Sequence, residues 1–291
     1  MYKISPVAVD TVVNAKTKEW TPSSFDNFMR ELNHITSTCQ RARSMVLFRG
    51  HRKREWLLDS TFMRSLKATL FGLRADEKLS RRIVESIEFH LSALNLYLLK
   101  FGVLTQPSEE LASVAKQHEG VDPWFEWLRR IQQYPEEDGF FLKGTNFLDW
   151  TQSSDVALYF ANSNRDGAGA IFICDATATG KTLQVLPVGE ILKKMHRVGN
   201  APSSLGAPLL FSPRKQLSYE RAKNQQAVYF AQMDLRYDLE FIWRLRETEL
   251  ENETILVKLI LPAGSEDELQ NYLSPKGISG AFLFPDLGSS K

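Results

Sequence analysis

Apolar residues follow two different periods along the chain. Helical spacing is clear from Phe25 through Leu32 to Ile35, directly after a helix-start signal at Thr21-Pro22. Short, wholly apolar runs are typical of buried strands, because both faces of such a strand pack against other elements. Runs that are wholly apolar, or apolar apart from one or two polar residues, occur at residues 45–48, 147–148, 169–174, 183–186, 209–211, 225–230 and 254–261. The pattern therefore predicts a buried sheet that is preceded by a helix.

Most of the remaining helical patterns lie between the first strand and residue 135. The longest runs from 76 to 101, and helix-start signals follow at 107–110 and at Asp122-Pro123. Residues 56–64 read as extended or turn-rich, and later helices are predicted at 187–196, 238–249 and, from a Ser265 to Glu268 capping box, 265–273. We expect His90 to be a hydrogen-bonded packing residue.

This arrangement indicates one α+β domain. Helices dominate the first half of the chain and strands the second, which differs from the regular alternation of βαβ folds. We predict a single domain over residues 1–291 with a mixed β-sheet core. A helical layer at about residues 70–135 is inserted between the first strand and the Asp149-Trp150-Thr151 strand and packs beside the sheet.

The stretch from 146 to 161 (N-F-L-D-W-T-Q-S-S-D-V-A-L-Y-F-A) changes from strand to helix at a polar corner. Asp149, Trp150 and Thr151 interrupt the apolar run, and Ser153 or Ser154 can cap the helix that follows. A short polar link between two packed elements is a common position for chemistry. The alternative is an ordinary strand-to-helix junction in which Asp149 caps the next turn.

Arg49-Gly50 ends the first predicted strand. An arginine at this position can bind an anion through two parallel hydrogen bonds, and a glycine permits close approach of the backbone. The alternative for such an arginine is a structural salt bridge. A basic cluster surrounds it, and this cluster is either a phosphate-binding surface or a solvated edge: Arg41, Arg43, Arg49, Arg52, Lys53 and Arg54.

Composition argues against several classes of protein. The 36 basic and 35 acidic residues give no overall field that would attract nucleic acid or an anionic membrane. The two cysteines are not in metal-binding spacing, so we expect no metal site and a reducing, cytoplasmic location. No signal pattern and no apolar run of roughly 20 residues is present, so we expect no membrane association.

Four motifs in order resemble the FRG-domain family, named for its Phe-Arg-Gly. They are Phe48-Arg49-Gly50, then Leu148-Asp149-Trp150-Thr151 with residues 156–161, then Arg221 with Gln225 and Tyr229, and finally residues 283–287. The resemblance spans roughly residues 20 to 287. The chain departs from the family at its frequent Gln-His-x-Gly and Pro-Thr-Arg, where Gly139, Phe140, Leu142 and then Gly144-Thr145-Asn146 stand. Ala227 replaces a glycine.

The FRG motifs in turn resemble a distant ADP-ribosyltransferase plan, which implies NAD as the substrate. In that plan Arg49 binds the NAD phosphate or ribose, and residues 149–151 take the place of a Ser-Thr-Ser strand that holds the nicotinamide half. Gln225 falls near the catalytic glutamate but carries no charge, so Asp149 or Glu240 must stabilise the cation. The implied catalytic residues are Gln225 and Asp149, and the implied cofactor-binding residues are Arg49, Gly50, Trp150, Thr151 and Tyr159.

Two hypotheses follow from the resemblance. The first is an NAD-dependent ADP-ribosyltransferase of the toxin-antitoxin or phage-defence kind, which modifies a protein or nucleic-acid acceptor and has a possible antitoxin partner. The second is a non-catalytic module that binds a ligand or partner, in which Arg49 and Asp149 form a buried structural ion pair. A metal-dependent nuclease built on Asp149 is a third and weaker alternative.

Overall fold

A computed structural model describes residues 18–42, 44–100, 131–132, 138–177, 188–198, 209–211, 220–249 and 254–285. Within these residues a seven-stranded sheet is packed between helices. The strands are β1 (Glu19–Trp20), β2 (Val46–His51), β3 (Phe147–Thr151), β4 (Gly169–Asp175), β5 (Leu209–Phe211), β6 (Ala227–Ala231) and β7 (Leu256–Leu261). The helices are α1 (Phe25–Arg41), α2 (Thr61–Phe71), α3 (Arg81–Val84), α4 (Ile87–Leu99), α5 (Ser154–Asn162), α6 (Val188–His196), α7 (Glu220–Asn224), α8 (Leu239–Glu249), α9 (Glu266–Leu273) and α10 (Gly280–Leu283).

The order of strands in the sheet is β1-β7-β4-β2-β3-β6-β5. The short β1 runs parallel to β7, and every other neighbouring pair is antiparallel. Antiparallel pairing of strands that are distant in sequence is the mark of an α+β arrangement rather than a regularly wound α/β sheet. The predicted mixed sheet with helices packed on it is therefore confirmed.

The sheet opens between its two central strands. β2 pairs with β4 along its whole length, from Val46 opposite Asp175 to His51 opposite Ala170. β3 pairs in the same way with β6, from Phe147 opposite Ala231 to Thr151 opposite Ala227. β2 and β3 themselves share only the pair Phe48 and Thr151. Beyond this pair the two halves of the sheet diverge and leave space between them.

Strand alternation divides the core between the two faces of the sheet. Trp150, Phe172 and Phe230 point to one face and pack under α8, whose Trp243 is 1% exposed. Phe48 and neighbouring apolar residues point to the other face and pack under α1, α5 and α9. Because side chains alternate along a strand, Asp149 and Trp150 must lie on opposite faces.

The central corner forms as predicted. The cap of its helix is Ser153, not Asp149 as in the alternative. β3 ends at Thr151, and the Ser153 hydroxyl accepts a hydrogen bond from the backbone N–H of Val156 at the start of α5. Among the described residues the Asp149 carboxylate caps no helix or turn, and its side chain is exposed. The first helix is likewise confirmed, because Ser24 caps α1.

Some predicted elements are wrong in their bounds. The single helix predicted over 76–101 is two helices, because Ser86 adopts an extended conformation and caps α4. The segment 56–64 is predicted to be extended or turn-rich, which holds for residues 56–60, but α2 begins at Thr61 under a Ser60 cap. The predicted strand 225–230 begins two residues later, and Gln226 has a φ of 45°. Gln225 therefore lies in the turn before β6.

The predicted capping box at Ser265 is also wrong. Its hydroxyl makes no capping bond to α9, and instead donates to the carbonyl of Pro262 and accepts from Nη2 of Arg165. His90 is the packing residue that was predicted, since its two ring nitrogens bond to the backbone of Leu235 and Met195.

Several predictions are not tested. The helices predicted to start at 107–110 and at 122–123, and the strand at 183–186, lie outside the described residues. The single-domain organisation with its helical insert at about 70–135 stays a prediction. Within the described ranges, no helix combines the length and the apolar character that are needed to cross a bilayer.

Gly50 has a packing role that explains why the third residue of the Phe-Arg-Gly motif is a glycine. A Cβ at this position would lie 2.0 Å from the carbonyl oxygen of Ala157 and 2.7 Å from the backbone nitrogen of Ala161. Both atoms belong to the backbone of α5, so no rotamer change can relieve the contact. Helix α5 therefore packs directly on β2 because residue 50 has no side chain.

We predict that Gly50→Ala lowers the free energy of unfolding by at least ~3 kcal/mol, at the upper end of overpacking effects, because α5 must move away from the sheet. The measurement is urea denaturation followed by circular dichroism. Gly139→Ala is the matched control, since a Cβ there meets nothing within 4 Å. Equal stabilities for the two variants would contradict the packing explanation.

Candidate functional site

A cleft of about 330 Å³ lies at the opening between β2 and β3. This volume is at the lower end of the range for small-molecule sites, roughly 300–1,000 Å³. Its lining residues come from four separate parts of the chain. The lining includes Arg49, Gly50, Arg52, Trp56, Gln132, Asp149, Thr151, Phe160, Arg221 and Gln225. The structure thus brings together the early arginine, the mid-chain carboxylate and the late amide that were predicted to meet.

Arg49 leaves β2 at the point where the sheet opens. Its Nε donates to Nε2 of His51 at 3.0 Å, and its Nη1 donates to the backbone carbonyl of Asp149. These are its hydrogen bonds within the described residues, so three of its five N–H groups remain for a ligand. Burial, partly offset by the Asp149 carboxylate, lowers the pKa of Arg49 to about 10. The guanidinium is therefore still charged at neutral pH.

His51 holds the Arg49 guanidinium from behind the cleft. Its ring is 3% exposed and packs edge-on against Phe172 at 5.1 Å. Because Nε2 accepts from Arg49, the ring proton is on Nδ1. Burial, together with the charges of Arg49 and Arg64, keeps the pKa of His51 well below its ordinary value. His51 is therefore a neutral acceptor that fixes the direction of the arginine.

Asp149 presents an exposed carboxylate to the cleft. Both of its oxygens accept from Nε2 of Gln132 at 2.7 Å, and Oε1 of Gln132 accepts from the Thr145 hydroxyl at 3.3 Å. Asp149 is the one acidic side chain among the described residues that line the cleft. The buried ion pair between Arg49 and Asp149 that the second hypothesis requires is not formed, because Arg49 bonds the backbone of Asp149 and the carboxylate faces solvent.

Thr151 and Gln225 are hydrogen-bonded to each other and to backbone groups in the wall of the cleft. The Thr151 hydroxyl donates to the carbonyl of Gln225 at 2.7 Å and accepts from the backbone N–H of Ser153 at 3.0 Å. Nε2 of Gln225 donates to the carbonyl of Leu283 at 3.0 Å, at the end of α10. Both residues therefore stabilise the wall of the cleft. Among the described residues, Oε1 of Gln225 accepts no hydrogen bond, and one N–H of its amide nitrogen is still unused, so both can bind a ligand.

Trp150 and Tyr159, the two predicted stacking residues, do not offer their rings for stacking, although Trp150 is among the residues that line the cleft. The Trp150 indole is 2% exposed and packs edge-on against Phe230 at 5.5 Å, on the sheet face opposite to Asp149. Tyr159 is not among the lining residues and contacts Phe284, with ring centroids 6.4 Å apart. Glu240, the other proposed acid, begins α8 near Asp238, away from the cleft. Neither aromatic ring faces the cleft, because alternation and α5 packing turn both away from it.

Trp56 is one of several aromatic residues that line the cleft, and the sequence motifs did not indicate it. The guanidinium of Arg52 lies 5.0 Å from its ring centroid, and that of Arg64 lies 5.9 Å away. Burial lowers the pKa of Arg64, an effect that the carboxylates of Asp59 and Asp149 oppose. Stacked arginines of this kind present cations with defined orientation at the rim of a site.

The lining carries more positive than negative charge. Arg49, Arg52 and Arg221 are cationic, whereas Asp149 alone is anionic, and Arg221 stacks on Phe284 at 4.6 Å. This balance suits a ligand with two negative charges, such as a pyrophosphate. The basic cluster predicted around Arg49 is divided, since Arg49 and Arg52 line the cleft while Arg54 pairs with Glu19.

A buried polar network replaces the family residues that are missing before β3. The ammonium group of Lys100 bonds the Asp138 carboxylate at 2.7 Å and the carbonyls of Leu142 and Gly144 at 2.8 Å. The fully buried Asn146 accepts from the Tyr97 hydroxyl at 2.9 Å. This network shapes the turn that places Thr145 and, through it, Gln132.

A family model for the FRG domain matches residues 44–168. The matched range contains Phe48-Arg49-Gly50 and the whole Asp149 corner, so the resemblance to the FRG-domain family that the motifs indicated is confirmed over this part of the chain. The Arg221 and Gln225 motif lies outside it. Neither the curated proteins nor the solved structures include a match to this chain. In the part of the chain that the structure describes, no group of three or more His, Cys, Asp or Glu residues could hold a metal ion.

We predict that Asp149→Ala changes the free energy of unfolding by less than about 0.5 kcal/mol, because the side chain is exposed. A buried ion pair with Arg49 would instead make this substitution cost about 3–5 kcal/mol. The comparison variant is Asn146→Ala, which removes a buried amide three residues earlier and costs about 1–3 kcal/mol. Chemical denaturation measures both, and an Asp149→Ala loss as large as that of Asn146→Ala would contradict the assignment.

Proposed function

We propose that the cleft binds NAD and transfers ADP-ribose from it to an acceptor. The observation that carries the proposal is the meeting of Arg49, Asp149 and Gln225 in one opening of the sheet, although they are far apart in sequence. A match to the FRG domain over residues 44–168 supports the family context but says nothing about catalysis.

The cationic wall is suited to the pyrophosphate of NAD. The three remaining N–H groups of Arg49 can bind phosphate oxygens as a fork, and Arg52 and Arg221 add charge on either side. His51 keeps the fork directed at the cleft. Because its imidazole is neutral, it does not compete with the phosphate for the charge of Arg49. The exposed part of the Trp56 ring offers a stacking surface for one of the two bases.

Asp149 supplies the negative charge that the reaction needs. When the bond between the nicotinamide nitrogen and the ribose carbon breaks, the nicotinamide leaves with the electron pair and the ribose becomes cationic. A lone pair of the acceptor then forms the new bond to this carbon, and the acceptor loses a proton. A carboxylate near the sugar stabilises the cation, and Gln132 holds both oxygens of that carboxylate in place. Gln225 can accept a hydrogen bond from a ribose hydroxyl through Oε1.

The alternative is a module that binds a dinucleotide without breaking it. The observation that favours it is the use of Thr151 and Gln225 in internal hydrogen bonds, which leaves few groups for the nicotinamide half. Both hypotheses require an anion at Arg49, and they differ in whether nicotinamide is released. A protein or nucleic-acid acceptor, a toxin or phage-defence role and an antitoxin partner stay predictions from the resemblance.

We predict that the purified protein binds NAD and releases nicotinamide, measured by calorimetry and by chromatography of the products with a cell lysate as the source of acceptor. Asp149→Asn should lower the rate of release about 100- to 1,000-fold with little change in affinity, because it removes charge stabilisation of the transition state. Arg49→Lys should weaken NAD binding about 10- to 100-fold, because it removes the planar fork.

Arg54→Ala is the matched control for Arg49→Lys, because Arg54 follows the same strand but pairs with Glu19 outside the cleft. It should leave NAD affinity and nicotinamide release unchanged. Binding without release would assign the cleft to the non-catalytic module. No binding of NAD by the folded wild-type protein would end both hypotheses.

A further inference from the structure

A second cavity of about 260 Å³ lies on the other side of α2 from the cleft. Met63 and Lys67 of α2 line it, together with residues of α3 and of the segment that leads into α8. None of its lining residues is shared with the cleft, and no motif in the sequence indicated it. An engineered apolar cavity of about 150 Å³ is large enough for benzene, so this one accommodates a single ring with a short chain.

Most of the wall of this second pocket is apolar. The side chains of Leu79, Val84 and Leu235 line it, and Phe241 stacks on Tyr237 with ring centroids 4.6 Å apart and planes inclined by 7°. Such a wall favours the hydrocarbon part of a ligand through burial of apolar surface. The polar groups in the wall then decide which head group the ligand carries.

The buried charges in the second pocket do not balance. Asp59 is compensated, since Oδ2 lies 2.8 Å from Nζ of Lys67 and both side chains are about 3% exposed. Asp238 is 8% exposed, and among the described residues it has no cationic partner within 4.0 Å. Its Oδ1 accepts from the backbone N–H of Phe241 at 3.0 Å. One buried carboxylate is therefore left without a counter-ion.

The cations near the mouth do not fill this role. Arg236 is committed to Asp234, with an Nη2 to Oδ2 distance of 2.6 Å, and Arg81 pairs with Glu85. Lys78 is exposed and makes no ion pair with Asp238, although its charge partly offsets the effects of Asp59 and Glu240. Burial beside these two carboxylates raises the pKa of Asp238 to about 6. A cation inside the pocket would remove this unfavourable environment.

We propose that the second pocket binds a small molecule with one aromatic or aliphatic ring and one basic nitrogen, with the nitrogen bonded to Asp238 and the ring packed between Leu79, Val84 and Phe241. The class of ligand is therefore a hydrophobic amine. This site is independent of NAD, and the proposal stands whether or not the cleft is catalytic.

The experiment uses 2-phenylethylamine as the probe, with 3-phenylpropanoic acid and 2-phenylethanol as matched probes of similar shape but negative or no charge. Calorimetry at pH 7.5 with the full chain should show the amine binding at least tenfold more tightly than either. Asp238→Asn should reduce amine affinity at least tenfold, because asparagine retains the hydrogen bond to Phe241 at the start of α8 but carries no charge.

Two further variants locate the effect. Val84→Trp fills the pocket from its edge and should abolish amine binding. If Asp238→Asn does not fold, this variant still tests whether the amine binds in the second pocket. Arg49→Ala alters only the cleft and should leave amine affinity unchanged. The proposal is overturned if the amine does not bind at millimolar concentration, if the three probes bind equally, or if Arg49→Ala removes binding while Val84→Trp does not.

Discussion

Strands β2 and β3 share a single residue pair, Phe48 with Thr151, and the rest of the architecture depends on this constraint. Each of these strands is fully paired on its outer side, β2 with β4 and β3 with β6. Past Phe48 and Thr151, β2 and β3 share no further residue pair in the part of the chain that the structure describes, and the backbone of Asp149 bonds a side chain instead. Arg49 meets this need through its Nη1. The opening in the sheet and the position of the arginine therefore have one cause.

The Phe-Arg-Gly segment divides its work between the two faces of β2. Phe48 and Gly50 face α5, where the glycine allows contact with the helix backbone, while Arg49 and His51 face the opposite way. Consecutive residues of one strand thus fix the helix and aim the guanidinium. A motif with this arrangement serves stability and ligand binding together, which explains why the residues must be adjacent.

Helix α2 separates two cavities of different character. On its cleft side, Arg64 lies near Trp56 in a region rich in guanidinium groups. On its other side, Met63 and Lys67 border a mostly apolar cavity with an uncompensated carboxylate. The two cavities are therefore suited to different ligands, because the cleft offers arginines to an anion whereas the second cavity contains a buried carboxylate with no ion pair among the described residues.

Much of the local structure follows from the sequence alone, because local structure depends on short-range periodicity and capping. The α1 helix, the β3 to α5 corner and the buried β4 and β7 strands each contain their own signal. Four short motifs in order also indicated the resemblance to the FRG-domain family. Boundaries were less reliable where a single serine decides them, as Ser86 does between α3 and α4.

Only the tertiary structure decided which side chains face the cleft. Trp150 and Asp149 are neighbours in the motif, yet one is sealed in the core and the other exposed, since the assignment of faces depends on what packs on each side of the sheet. Gln132 and Trp56 carry no motif, and they reach the site through contacts between distant parts of the chain. The unbalanced Asp238 is likewise a product of folding, because burial and the proximity of Asp59 exist only in the packed structure.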